Sequence, residues 1–227
     1  MTSQTPLGMV VRQTADNDEL QAARQLHAKT YLDAGYVDDL GEDGLIDDPW
    51  VPYSDYFVAV TPSGEVVGTC RLIRPSPRGL QTFQHAPLYP QHERFFAQLP
   101  PDACVEVSSL ATRRIGRQNG EIAAALYALT WREAVLRQHA YIISLVDPRL
   151  LRMMAAVSLP VELIGPTRYS FGGDVTPTAI YVPEASDVYR HSLRGSHAQG
   201  PALDLLDARV IDLRESMPHK KMDSVAS

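Results

Sequence analysis

One carboxylate and a cluster of arginines in the segment VEVSSLATRRIGRQNGE, residues 105–121, are the first candidates for chemistry. Glu106 and Ser108 lie in a strand-like run of small and apolar residues. A carboxylate in such a place is either paired with a cation or available to accept a proton. Three arginines follow, namely Arg113, Arg114 and Arg117. Their fork-shaped guanidinium groups suit phosphate or carboxylate ligands.

The helix that follows these arginines offers a candidate anion site at its start. Asn119 and Gly120 are predicted to begin it, and the unpaired amides and positive dipole end of a helix attract anions. Gly120 would let a ligand approach the backbone closely. The arginines and the helix start together predict a phosphate-binding site; the alternative is an arginine cluster that only solvates a loop.

Four further charged residues lie earlier in the chain. Arg24 falls in a predicted first helix and Arg71 in a predicted strand, GTCRLIRP. Asp47 and Asp48 belong to a stretch from Asp33 to Asp55 that holds eight acids and no base. Prolines and glycines make this stretch a long loop, and long ordered loops are often functional. The acids either bind a ligand or form a solvated surface.

Composition and charge restrict the class of protein. The chain has 227 residues, of which 44% are apolar and 21% charged, which is typical of a soluble globular protein with a sizeable core. The net charge is −6, but residues 66–183 hold twelve arginines against eight acids. This balance does not favour nucleic acid as a partner. Two cysteines and no export leader or membrane span predict a reduced, cytoplasmic protein.

Hydrophobic periodicity predicts alternating strands and helices. Helical spacing runs through DELQAARQLHAKTYLDAG, EIAAALYALTWREAVLRQH and RLLRMMAAVSL, and strands are indicated around GMVVRQTA, the pair YFVAV and EVVGTCRLIRP, VEVSSLATR, AYIISLVD and the last two apolar runs. The segment between the strand pair and VEVSSLATR is a proline-rich connection with a short FFAQL segment. This order predicts an α/β fold with a mixed central sheet flanked by helices.

The domain organisation is predicted to be simple. Residues 1–183 form one globular domain, and residues 184–227 form a polar C-terminal extension that is partly helical or disordered. A stripe of apolar residues within the extension could pack as a helix or form a homodimer contact. Its members are Leu203, Leu206, Val210 and Leu213.

The succession of elements and motifs resembles the GNAT, or acyl-CoA N-acyltransferase-like, fold. Arg24, the acidic loop, Arg71 and the E-x-S pattern at Glu106 are similar to acyl-homoserine lactone synthases. The second half, SLVDPRLLRMM and LIGPTRYSFGGDVTPTAIYV, resembles N-acyl amino acid synthases and exosortase-associated acyltransferases. The resemblance covers roughly residues 8–183.

The resemblance implies an N-acyltransferase that moves a fatty acyl group from an acyl carrier protein thioester to the amine of an amino acid or related molecule. It implies that Glu106 accepts the amine's proton and that Ser108, or an amide at a strand irregularity, steadies the oxyanion. Arg24 and Arg71 would hold the acceptor's carboxylate, and Asp47 or Asp48 its ammonium group. The arginine cluster with Asn119 and Gly120 would meet the phosphopantetheine or the carrier.

Three residues depart from the patterns of these families. Ser109 stands where lactone synthases usually carry an arginine, and Tyr36 where they carry a tryptophan, which favours an acylated amino acid over a lactone. Ile122 breaks the glycine-rich pattern typical of coenzyme A binding, which favours a carrier protein, although acyl-CoA stays an alternative donor.

Two competing interpretations stand beside the enzyme hypothesis. The chain could be a catalytically silent module that binds an acyl group or a carrier protein. Glu106 could also be a structural ion-pair partner of Arg71 on a neighbouring strand, since buried acids are usually paired. The histidines show no metal-ligand pattern.

Overall fold

The computed structural model describes residues 3–4, 8–113, 119–156 and 159–185. Within them the chain forms nine strands, five α-helices with defined bounds and a further helical stretch at residues 182–185. The strands are β1 (Ser3–Gln4), β2 (Val10–Thr14), β3 (Ser54–Val60), β4 (Val66–Ile73), β5 (Cys104–Thr112), β6 (Tyr141–Val146), β7 (Val161–Leu163), β8 (Arg168–Ser170) and β9 (Gly173–Tyr181). The helices are α1 (Asn17–Asp33), α2 (Gln81–His85), α3 (Pro90–Phe96), α4 (Asn119–Leu136) and α5 (Pro148–Ala156).

The strands form a mixed sheet, which confirms the predicted fold class. Their order is β1-β2-β3-β4-β5-β6-β9-β7, and β8 pairs with β9. Every neighbouring pair is antiparallel except β5 and β6, which are parallel and connected through α4. A parallel pair needs such a crossover connection, and a helix supplies it.

Helices cover both faces of the sheet. Phe57 of β3 packs in the same core cluster as Leu126 of α4. Its neighbours Tyr56 and Val58 pack instead with Ala23 of α1. Because successive strand residues point to opposite faces, α4 lies on one face and α1 on the other.

The ends of α1 follow the sequence closely. Asp16 caps the helix, since its Oδ1 accepts a hydrogen bond of 3.0 Å from the amide of Glu19. Gly35 follows the helix with a φ of 73°, the left-handed conformation that glycine favours after a helix end. The acidic loop then runs to a short 3₁₀ turn at Val51–Tyr53, before β3.

Two short helices, α2 and α3, lie in the segment that the sequence predicts to be a proline-rich connection. Neither has the length or periodicity that identifies a helix from sequence, and their positions depend on distant residues. Phe96 of α3 packs against Tyr141 of β6, with ring centroids 5.7 Å apart. The end of the chain also holds three strands, β7 to β9, where two are predicted.

The parallel strands β5 and β6 separate partway along their length. Their pairing runs only from Cys104 opposite Tyr141 to Glu106 opposite Ile143. After Glu106, β5 pairs only with β4, and β6 pairs only with β9. The sheet is therefore open between the second half of β5 and the end of β6.

The described part of the chain ends at residue 185, so the predicted apolar stripe of the extension lies outside it. Among the described helices, none is long and apolar enough to cross a membrane.

Gly68 allows α4 to pack closely on β4. A Cβ at this position would lie 2.6 Å from Cγ2 of Ile122 and 3.1 Å from Cδ1 of Leu126, both fully buried on α4. We expect Gly68→Ala to lower the free energy of unfolding by about 1–3 kcal/mol through overpacking. Urea denaturation would measure the change.

Gly120→Ala is the matched control for that variant. A Cβ there meets no described atom within 4 Å. Since alanine is the better helix former by roughly 0.5–1 kcal/mol, this variant should be neutral or slightly more stable. Equal effects of the two substitutions would contradict the close packing at Gly68.

Candidate active site

The candidate residues lie on the α1 face of the sheet, in neighbouring cross-strand rows. Arg71 of β4 is opposite Tyr56 of β3 and Ser108 of β5. Glu106 is opposite Ile73, in the next row whose side chains point to the same face. Since Glu106 and Ser108 are two residues apart on one strand, both side chains leave the same face as Arg71.

Arg71 is a buried cation that Asp48 compensates. Only 1% of the Arg71 surface is exposed, and its Nη1 lies 2.5 Å from Oδ2 of Asp48. Burial alone would lower the pKa of Arg71, but the Asp48 carboxylate and Tyr56 outweigh it and raise the pKa. Asp48 also accepts a 2.9 Å hydrogen bond from the amide of Trp50, which fixes the end of the acidic loop.

The hypothesis of an ion pair between Glu106 and Arg71 is wrong. Glu106 instead binds the start of α2: Oε2 accepts from the amide of Thr82 and Oε1 from its hydroxyl, both at 2.9 Å. No side chain of α2 caps its own first turn, so Glu106 does so from the neighbouring strand. Asp48, the ion-pair partner of Arg71, lies in a loop. Strand adjacency alone therefore does not identify it.

Burial raises the pKa of the Glu106 carboxyl group. Only 2% of its surface is exposed, and desolvation raises its pKa from 4.5 to about 7, although the Thr82 hydrogen bonds and the charge of Arg71 lower it. A carboxyl group with this pKa can release and take up a proton near neutral pH. The geometry therefore provides a buried carboxyl group that the start of α2 holds in place and that can exchange a proton near neutral pH.

Gln81 binds two side chains of the Arg71 row and was not predicted as a site residue. Its Oε1 accepts a hydrogen bond of 2.9 Å from Nη2 of Arg71 and a longer one of 3.4 Å from Oγ of Ser108. Gln81 is the first residue of α2. The sequence signal that could have identified it was the helix itself, which is too short to recognise.

The irregularity expected near Ser108 is a β-bulge at Ser109. Thr69 pairs with Ala111 and Arg71 with Ser108. Between these two pairs β5 has two residues and β4 has one. Ser109 has a φ of 57°, in the left-handed region. Because a bulge leaves backbone groups outside the ladder, amides here are available where β5 has already parted from β6.

Aromatic side chains of α1 and the following loop border the Arg71 pair. The rings of His27 and Tyr31 lie 4.2 Å apart, and those of Tyr31 and Tyr36 lie 5.2 Å apart. Burial, assisted by Arg71 and opposed by Asp48, lowers the pKa of His27 to about 3. His27 is therefore neutral at physiological pH.

The β8–β9 turn packs against the chain that follows α1. Phe171 packs its ring 5.1 Å from His85, which lies 5.4 Å from Trp50. A Cβ at Gly172 would collide with the carbonyl oxygen of Gly35, so the turn rests directly on the chain that leaves α1. The loop after α1 and the β8–β9 turn are thus joined by this main-chain contact, and the rings of Phe171, His85 and Trp50 form a continuous aromatic row.

The remaining predicted residues differ in position. Arg24 is half-buried on α1 and has no ion-pair partner among the described residues, whereas Asp47 is exposed. Arg113 is exposed and forms an ion pair with Glu65. Gly120 is exposed in the first turn of α4, beside Asn119. Two of the predicted arginines, Arg114 and Arg117, lie outside the described residues.

Metal chemistry has no evident ligand set in the described part of the chain. No group of three or more histidine, cysteine, aspartate or glutamate residues there could hold a metal ion. Cys70 and Cys104 are free and buried, and burial raises the pKa of each thiol to about 12. Neither cysteine is placed to act as a nucleophile near neutral pH.

Comparison with a protein-family model identifies the family that the chain resembles. The model for N-acyl amino acid synthase FeeM matches residues 22–174. That range includes Asp48, Arg71, Gln81 and Glu106. Among curated proteins, no sequence matches the chain.

Three solved structures illustrate the fold likeness. FeeM, an N-acyl amino acid synthase from uncultured soil microbes, has a TM-score of 0.62 at 20% identity, over 81% of this chain and 94% of that one. BjaI, a CoA-dependent acyl-homoserine lactone synthase solved with SAM and isopentyl-CoA, has 0.60 at 20%, over 83% and 90%. The acyl-homoserine lactone synthase LasI has 0.58 at 16%, over 77% and 90%.

Asp47 and Asp48 give a matched pair of variants, since they are adjacent but differ in burial and partner. Asp48→Ala would leave the buried Arg71 without its counter-charge and is expected to cost about 3–5 kcal/mol in the free energy of unfolding. Asp47→Ala, at an exposed position, should change it by less than about 0.5 kcal/mol. Chemical denaturation of both variants would measure this, and similar small effects would contradict the Asp48–Arg71 pair.

Glu106 should give the stability a specific pH dependence. The folded chain, with a pKa of about 7 against the ordinary 4.5, holds the proton more tightly than the unfolded chain. Ionisation of Glu106 therefore reduces stability as pH rises from about 4.5 to about 7, by roughly 3 kcal/mol in total, with no further change above.

The matched variant for this measurement is Glu106→Gln, which cannot ionise but can still hydrogen-bond to Thr82. The difference in unfolding free energy between the variant and the wild type isolates the Glu106 contribution across pH 4–8. It should shift in favour of the variant as pH rises. A constant difference would show that Glu106 is not titrating in this range.

Proposed function

Because the chain belongs to the N-acyl amino acid synthase FeeM family, and is thus an N-acyltransferase, we propose that it transfers a fatty acyl group from acyl carrier protein to an amino acid or related amine. The observation that carries this proposal is Glu106, a buried carboxyl group whose pKa is raised to about 7. It lies at the point where β5 and β6 part.

The proposed reaction is a direct transfer. The amine nitrogen attacks the thioester carbonyl carbon, and a C–N bond forms as the nitrogen loses a proton to Glu106, directly or through water. The C–S bond then breaks, and the departing thiolate receives that proton. Both Glu106 oxygens already accept a bond from Thr82, but each keeps a second lone pair for this proton.

The proposed oxyanion contacts come from β5. A backbone amide freed by the bulge at Ser109, or the hydroxyl of Ser108, would donate to the oxygen that becomes negative as the amine attacks. Ser108 is in the same cross-strand row as Arg71. The thioester carbonyl would therefore lie between this row and the open part of the sheet.

The amine acceptor is proposed to bind on the α1 side. Arg24 and the unused donors of Arg71 would hold its carboxylate, and Asp48 would attract its ammonium group before deprotonation. The half-burial of Arg24 without an ion-pair partner in the described residues supports this role. The exposure of Asp47 favours Asp48 of the two predicted acids.

The donor's phosphopantetheine is proposed to bind near the start of α4. Asn119 and Gly120 offer backbone amides there, and Gly120 has open space around it. Arg113, Arg114 and Arg117 would contribute positive charge toward the phosphate or the acidic surface of a carrier protein. In this arrangement Arg113 would exchange its ion pair with Glu65 for the donor.

Coenzyme A is the competing donor. BjaI and MesI, which share this fold, are described as CoA-dependent.

A cytoplasmic location is also proposed, as two free cysteines suggest. The proposed acyltransferase domain spans residues 1–183, and the C-terminal extension that follows it is proposed to mediate a homodimer.

The donor and acceptor can be identified in one experiment. Purified protein is mixed with long-chain acyl carrier protein and a pool of the common amino acids, and intact-mass analysis follows release of the holo carrier while the small products are identified by mass. An acylated amino acid supports the proposal. Consumption of short-chain acyl-CoA with an untouched carrier would overturn the proposed donor, and inertness toward both would overturn the proposed function.

Glu106→Gln tests the proton transfer. The variant can accept from the Thr82 amide and donate to its hydroxyl but cannot accept the proton, so kcat should fall by about 10²–10⁴-fold with little change in donor KM. In the wild type, kcat should rise with pH up to about 7 and then level off, because the ionised carboxylate is the base. Steady-state kinetics over this pH range would measure both effects.

Glu93→Gln, at an exposed position on α3, is the control and should leave kcat unchanged. If Glu106→Gln kept wild-type kcat and pH dependence, Glu106 would serve only to cap α2.

A further inference from the structure

Hydrogen bonding fixes the orientation of the Gln81 side chain. The guanidinium group of Arg71 has donors only, so the Gln81 atom that lies 2.9 Å from its Nη2 must be the amide oxygen. Ser108 donates to the same oxygen. The amide nitrogen, Nε2, therefore carries two N–H donors, whereas the side-chain hydrogen bonds of Gln81 to the described residues all go to its oxygen.

Arg71 has unused donors in the same place. Only 1% of its surface is exposed, and its Nε has no hydrogen-bond acceptor in the described chain. Nη1 lies close to Oδ2 of Asp48, and Tyr56 also contacts the guanidinium group. Buried donors are nearly always satisfied in a folded protein, so the Nε of Arg71 favours a ligand that brings acceptor atoms.

Gln81 is the member of this set that a ligand can reach from outside. It is half-buried, and the nitrogen lies beside the oxygen that Arg71 holds. A carboxylate suits such a position because it accepts several N–H donors and donates none. Asp48 already balances the charge of Arg71, so the additional binding depends on hydrogen bonds from neutral donors such as Gln81.

We propose that the side-chain amide of Gln81 donates a hydrogen bond to the carboxylate of the amine acceptor and so makes the enzyme prefer amino acids to amines without a carboxylate. This inference rests on the proposed amino acid acceptor. Gln81 is then a binding residue of the acceptor site, in addition to holding Arg71 and Ser108 in position.

Gln81→Glu separates the two roles. The variant keeps an oxygen for Arg71 and Ser108 but loses both N–H donors, so a role in holding these residues is retained while donation to the acceptor is lost. Each enzyme is given an amino acid and its primary carboxamide as competing acceptors, and the ratio of the two kcat/KM values is measured. This ratio is independent of how much of the enzyme is folded.

For the wild type the ratio should favour the amino acid, and in Gln81→Glu it should fall by about tenfold or more, through a higher KM for the amino acid, as expected for loss of a hydrogen bond to a charged group. Gln81→Met, which lacks the donors and adds no charge, should show the same loss of preference. Gln84→Glu is the matched control, since Gln84 is exposed on the same helix and donates to the carbonyl of Arg78; its ratio should equal that of the wild type.

An unchanged ratio in both Gln81 variants would overturn the assignment of Gln81 and leave the proposed function intact. A fall in kcat for both acceptors at unchanged KM would also overturn it, since the donor would then act on the reacting carbonyl. A wild-type enzyme that acylates amines but no amino acid would overturn the amino acid acceptor itself.

Discussion

The site depends on the cost of burying one guanidinium group inside a sheet. Arg71 lies in the middle of β4, between Tyr56 and Ser108, with 1% of its surface exposed. A cation in this position must have a counter-charge and hydrogen-bond acceptors, or the fold loses several kcal/mol. The acidic loop supplies the charge through Asp48, and α2 supplies an acceptor through Gln81. Both are irregular or short segments that Arg71 holds against the sheet.

Glu106 shows how one group can serve both the fold and the chemistry. Its carboxylate holds the first turn of α2, yet its burial raises the pKa to about 7. The same contacts therefore fix the position of the proposed base and secure the helix that carries Gln81, while the proton stays exchangeable near neutral pH. A fully solvated carboxylate would be more stable as an anion but a weaker base.

The sequence predicts the regular elements because their apolar spacing is local information. The two long helices and the strands β2 to β6 were identified this way, as was the presence of Glu106, Ser108 and Arg71 on strands. Contacts made across the fold were not accessible: α2 is too short to show periodicity, so Gln81 was missed. Asp47 and Asp48 are identical residues side by side, and only the path of the loop decides which one reaches Arg71. The predicted ion pair between Glu106 and Arg71 is wrong for the same reason. The ion-pair partner of Arg71 is Asp48, which lies in a loop 23 positions earlier in the chain.

The contact between Gly172 and the carbonyl oxygen of Gly35 has a consequence for how such a site can diversify. It joins main chain to main chain, and a side chain at Gly172 would collide with it. Replacing side chains at other positions can change which groups lie beside this contact. Such replacements do not change the distance between the main chains at Gly172 and Gly35. Inserted or deleted residues in the β8–β9 turn or in the loop after α1 would be needed to change the spacing at this border. Length variation in these two segments, rather than point substitution, therefore sets the range of site shapes open to descendants of this chain.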